Sequence, residues 1–75
     1  MANSGVYPPD GATDVGLIRI LLQDTDATNI DPEAGTADYE MFSDADLAGF
    51  FLAGGDSPLR GVGFAYLSLA GQAAL

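Results

Sequence analysis

The side chains in this sequence that could do chemistry are carboxylates and serines, and their spacing decides what they could do. Asp24/Asp26 and Asp44/Asp46 are paired acids of the kind general acid–base catalysis uses. Both pairs fall at helix ends or in an acidic stretch, where little raises a carboxyl pKa. Ser4, Ser43, Ser57 and Ser68 are candidate nucleophiles, but the chain has no histidine and no lysine to activate one. Ala53-Gly54-Gly55-Asp56 is glycine-rich, yet it lacks lysine and places an acid where a phosphate would sit. Asp24-x-Asp26-x-Thr28 opens like a calcium loop. Its sixth position is Asn29 rather than glycine and its twelfth is Gly35 rather than a bidentate glutamate. The reading is therefore a non-enzyme with no catalytic residue, no metal ligand and no cofactor.

Bulk properties narrow the field further. At 75 residues the chain makes one small domain, whose stability is expected to be marginal. It has no cysteine and no histidine, so disulfides and cysteine-type zinc sites are out, and carboxylate-bound cations or self-assembly remain as staples. Absence of cysteine fits an intracellular origin. Eleven acids against Arg19 and Arg60 give a net charge of −9. That opposes gripping nucleic acid, which needs a basic patch, and opposes docking on an anionic membrane. Residues Met1 to Pro9 have neither the basic start nor the apolar core of a secretory signal. The apolar run after Arg60 falls short of the roughly 20 residues that span a bilayer.

The elements that must position these residues read as helices. Residues 1–12, with Pro8-Pro9-Asp10-Gly11, read as an extended arm ending in a turn, either floppy or laid along a neighbour. Residues 13–75 read as one helical domain. Thr13-Asp14 caps a first helix over Val15 to Gln23 that is apolar nearly all round, with Gly16 as a weak point. Arg19 is its one charge, read either as a solvated residue balancing Asp14 or Gln23 or as a salt bridge to a neighbouring subunit. Asp24 to Met41 reads as a long acidic loop, with Tyr39 returning to the core or pairing at an edge with another chain. Ser43 and Asp46 start a second helix, with Phe42 and Leu47 as a hydrophobic staple and Gly54-Gly55 as its stop. Asp56 or Ser57, then Pro58, start a third. Its small residues, Gly61 and Gly63 among them, suit either a tightly packed core helix or one shared between subunits. It ends at Leu75 without a cap, so either the natural chain continues or that end docks into a partner. The expected core joins Ile18 and Leu22 to Phe50, Phe51, Leu59, Val62, Tyr66 and Leu69. The fold expected is all-α: three helices, an N-terminal arm and a long acidic loop between helices 1 and 2.

Three segments in order carry a family resemblance. They are Val15-Gly16-Leu17-Ile18-Arg19-Ile20-Leu21-Leu22-Gln23 running into Asp24-Thr25-Asp26, then Phe42-Ser43-Asp44-Ala45-Asp46-Leu47 through Phe51-Leu52, then Gly54-Gly55-Asp56-Ser57-Pro58-Leu59-Arg60. Together they resemble the head-to-tail connector (adaptor, or head-completion) proteins of tailed bacteriophages. The resemblance implies a structural subunit of the virion neck, made in the host cytoplasm. It implies a dodecameric homo-oligomeric ring between the portal protein and a tail-side neck protein, with DNA passing through the centre without sequence-specific binding. The family often continues past this point with further helices and a C-terminal segment reaching the portal. Two other readings stand beside it. One is a small acidic adaptor or nucleic-acid mimic binding a basic partner, disfavoured because the acids cluster in one loop and at caps. The other is a calcium-binding module. The interface candidates are Arg19, Tyr39, Met41, Arg60, Gly61, Gly63 and Leu75.

Overall fold

A computed structural model describes residues 3–73. Its elements, in chain order, are β1 (Asn3–Val6), α1 (Asp14–Leu22), β2 (Ala27–Asp31), β3 (Thr36–Tyr39), α2 (Asp44–Ala53) and α3 (Pro58–Ala73). The three helices lie where their caps put them. Thr13 Oγ1 accepts from the Gly16 N–H at 3.1 Å, and the left-handed Gln23 closes α1 with its N–H on the Arg19 and Ile20 carbonyls. Ser43 and Asp46 form a reciprocal capping box on α2. Pro58 opens α3, and Ser57 Oγ accepts from the Arg60 N–H.

The expectation of an all-α fold was wrong. Residues 3–6 of the arm and 27–39 of the acidic loop build a 3-stranded antiparallel sheet ordered β1-β3-β2. β3 is central: Asn3 to Val6 of β1 pair with Tyr39 to Thr36 on one side, and Ala27 and Thr28 of β2 pair with Tyr39 and Asp38 on the other. The Asp31-Pro32-Glu33-Ala34-Gly35 turn joins the hairpin. Gly35 takes a positive φ of 67°, its N–H bonds the Asp31 carbonyl at 2.8 Å, and the Asp31 carboxylate accepts from the N–H groups of Glu33 and Ala34. These strands are short and mostly polar because each has little to bury. On β3, Ala37 and Tyr39 face inward while Thr36 and Asp38 alternate outward. The acidic stretch Asp24 to Met41, with its one proline at Pro32, thus reads as loop, although Thr36 to Tyr39 carries the period-two pattern of a half-buried strand.

The helices hold the apolar core. Ile18 and Leu22 of α1, Phe42, Leu47 of α2 and Ala65 of α3 are buried, with Val15, Phe50, Phe51, Val62 and Leu69 packed around them. Phe42 meets Phe50 edge-on with ring centroids 5.2 Å apart, so the staple before α2 is also a core contact. Two expected core residues are not core: Leu59 is 74% exposed and Tyr66 54%. From that helix Val62 and Leu69 pack against the core as expected, and its fully buried apolar side chain is Ala65. Gly61 explains why a small-residue helix fits here, since a Cβ at that position would come within 2.9 Å of Ile18 Cδ1 and 3.3 Å of Phe51 Cα. α3 therefore lies close against α1 and α2 of its own chain.

Candidate functional site

The most concentrated chemistry in the molecule is a buried charge cluster around Arg19. Its guanidinium, only 1% exposed, donates through Nη1 to Asp24 Oδ2 and through Nη2 to Asp44 Oδ1, each at 2.9 Å. The guanidinium carbon lies 3.6 Å from the centroid of the Tyr39 ring. Asp24 is equally buried and also accepts from the N–H groups of Met41 (3.1 Å) and Phe42 (2.9 Å). Asp44 Oδ2 accepts from the Val6 N–H at 3.0 Å. The Tyr39 hydroxyl donates to the Val6 carbonyl. Arg19 is thus neither solvated nor offered to a neighbour. It ties α1, the chain after it, β3 and the start of α2 to one another.

Burial pushes the Tyr39 phenol above its usual pKa; the Arg19 guanidinium pulls the other way, and Asp44 adds to the rise. Tyr39 is also not an edge residue. It sits on the central strand, paired on both sides. Gly5 makes room for the cluster, because a Cβ there would fall on the Asp44 carboxylate and 3.1 Å from Arg19 Nη2.

This cluster leaves no obvious reactive group. Thr13, beside the cleft of about 250 Å³ that Arg19 and Asp44 line, uses its hydroxyl to donate to the Asp10 carbonyl and to cap α1. The Asp44/Asp46 pair is split between the Arg19 cluster and the capping box, and the Asp24/Asp26 pair between a buried and an exposed position. A second cleft of about 260 Å³ is lined by Asp26, Asp38 and Glu40. Among the described residues, no group of three or more acids is placed to hold a metal ion, and no helix is long and apolar enough to cross a membrane.

The remaining interface candidates lie elsewhere. Met41 and Arg60 are exposed, Gly61 is buried within the chain, and Gly63 is exposed with nothing within 4 Å of an added Cβ. Leu75 lies outside the described residues. The sequence reading put Arg60, Gly61 and Gly63 of α3 among the interface candidates, but it missed that Leu59 and Tyr66 lie on the helix's outer side rather than in the core. Leu59, Tyr66 and Leu67 are exposed there, Phe64 is 41% exposed beside them, and Leu52 of α2 is 69% exposed. The signal was present as an apolar helix with more large side chains than one face can bury. Compared with protein-family models, characterised proteins and solved structures, the chain has no match.

Proposed function

We propose that this chain is a non-catalytic structural subunit that works inside a larger assembly, with the outer side of α3 as its docking surface. The observation that carries this reading is the set of large apolar side chains that α3 leaves in solvent: Leu59, Tyr66 and Leu67. Exposed apolar residues scattered singly are ordinary, but several on one helix face mark a surface meant to be covered. The buried chemistry supports the same reading, because Arg19, Asp24 and Asp44 are engaged in holding elements together. In its finer form the assembly is a bacteriophage neck. The three ordered segments that resemble head-to-tail connectors support that form, with a ring of this chain between portal and tail-side protein and DNA passing through. A net charge of −9 is compatible with a channel wall that repels phosphate.

The test is particle assembly with Leu67→Asp in this chain. Leu67 is 66% exposed, so the fold should survive the change and circular dichroism should be unaltered. Joining of filled heads to tails should fail. Normal joining by a folded variant would remove the basis of the assembly reading.

A further inference from the structure

The exposed side of α3 has a regular form. Leu59, Gly63, Tyr66 and Ala70 recur at spacings of four, three and four, all in solvent, with Leu67 and Arg60 flanking them. This is a seam of alternating large and small residues, the pattern that lets another element pack closely. Gly63 has no internal reason to be glycine, since a Cβ there meets nothing within 4 Å. The seam is also the one helical surface without an acid: from Pro58 to Ala73 the only charge is Arg60. Arg60 makes no ion pair among the described residues.

The complement of such a surface is apolar and acidic, and the chain carries one. On the β2–β3 hairpin and just beyond it, Ile30 and Met41 are exposed, and so are Asp26, Glu33 and Glu40. The hairpin and the seam are separate surfaces, because α3 packs against α1 and α2 whereas β2 packs against β3. We infer that the α3 seam docks on the β2–β3 hairpin of a second copy of this chain, with Arg60 reaching that copy's carboxylates. Two identical surfaces would do worse. Hairpin against hairpin brings acids together, and seam against seam leaves the single cation facing another cation. A head-to-tail contact joins opposite charges and can repeat from copy to copy. This inference rests on the assembly reading and adds the occupant of the seam.

Sedimentation of the purified chain, across a range of concentrations and at low and high salt, tests it. The wild type should associate beyond a dimer, less so at high salt. Arg60→Glu should weaken association about tenfold while leaving circular dichroism unchanged. Combining Arg60→Glu with Glu33→Arg and Glu40→Arg in one chain should restore it. A wild type that stays monomeric throughout, or association indifferent to Arg60→Glu, would overturn the inference. If the chain stays monomeric yet Leu67→Asp still blocks head–tail joining, the seam docks on a different protein: the second-copy contact falls and the assembly reading stands. If copies associate through these residues and joining is indifferent to Leu67→Asp, the neck assignment falls and the contact stands.

Discussion

Arg19 lies over the ring of Tyr39, 3.6 Å from its centroid, and each of its two terminal nitrogens is held by a different aspartate. A planar guanidinium can satisfy all three partners at once, whereas an ammonium is a compact point charge. Arg19→Lys should therefore destabilise the fold by about 2 kcal/mol or more, despite keeping the charge. Asp24→Asn should cost about 3–5 kcal/mol, since it strips a buried cation of its most enclosed partner. Against a typical total of about 5–15 kcal/mol, that brings the domain close to unfolding. Urea titrations would measure both, and an Arg19→Lys protein as stable as the wild type would show that the fork geometry is unimportant.

The Tyr39 phenol links the same cluster to alkaline pH. Its folded pKa is raised, chiefly by burial, so the folded state holds the proton more tightly than the unfolded chain. The stabilisation is complete below the unfolded value of about 10 and is lost as pH rises through the raised folded value. Thermal melts should fall off above pH ~10, and Tyr39→Phe should flatten that decline while lowering stability at neutral pH by about 1 kcal/mol through the lost bond to the Val6 carbonyl. An identical alkaline decline in the Phe variant would locate the titration elsewhere.

Gly16 and Gly63 should respond in opposite directions to alanine. Helix propensity alone favours alanine at both by about 1 kcal/mol. At Gly63 the space is open, so Gly63→Ala should stabilise the isolated chain by about 0.5–1 kcal/mol. At Gly16 an added Cβ falls on the Asp10 carbonyl and 2.8 Å from Asp10 N. Moving that backbone costs about 1–3 kcal/mol, so Gly16→Ala should be net destabilising. Equal shifts in the two melting temperatures would mean that the approach of Asp10 to α1 is not rigid.

Core and seam leucines should also separate. Leu47 is fully buried, so Leu47→Ala should cost about 2–5 kcal/mol. Leu59 is largely in solvent, and Leu59→Ala should stay within about 0.5 kcal/mol. Chemical denaturation of the two variants side by side is enough; a large loss at Leu59 would show that the seam belongs to the core.

The helices were legible because their boundaries are written locally: Thr13, Ser43 with Asp46, Gly54 with Gly55, and Pro58 each act within a turn or two. The sheet was not, because its evidence is spread out. β1 supplies one exposed apolar residue, Val6, and finds its partner across the whole of residues 7–35. Arg19 was misread for the same reason. Its three partners come from the chain after α1, from β3 and from the start of α2, and no spacing in the sequence brings them together. The outward-facing Leu59 and Tyr66 show the limit of periodicity. A helix apolar on several sides does not reveal which side faces its own core.

Strand order has a kinetic consequence. β1 leaves the ribosome before its partner β3, with α1 and β2 made between them, and before the Asp44 that bonds Val6. β1 and the Arg19 side chain therefore wait in solvent while α1, the hairpin and the start of α2 emerge, and they are among the last groups to settle. Non-local closure of this kind is slow to form. A ribosome stalled before Asp44 is exposed would hold a chain whose Val6 N–H and Arg19 Nη2 still lack their carboxylate, leaving the amino-terminal strand open to proteolysis.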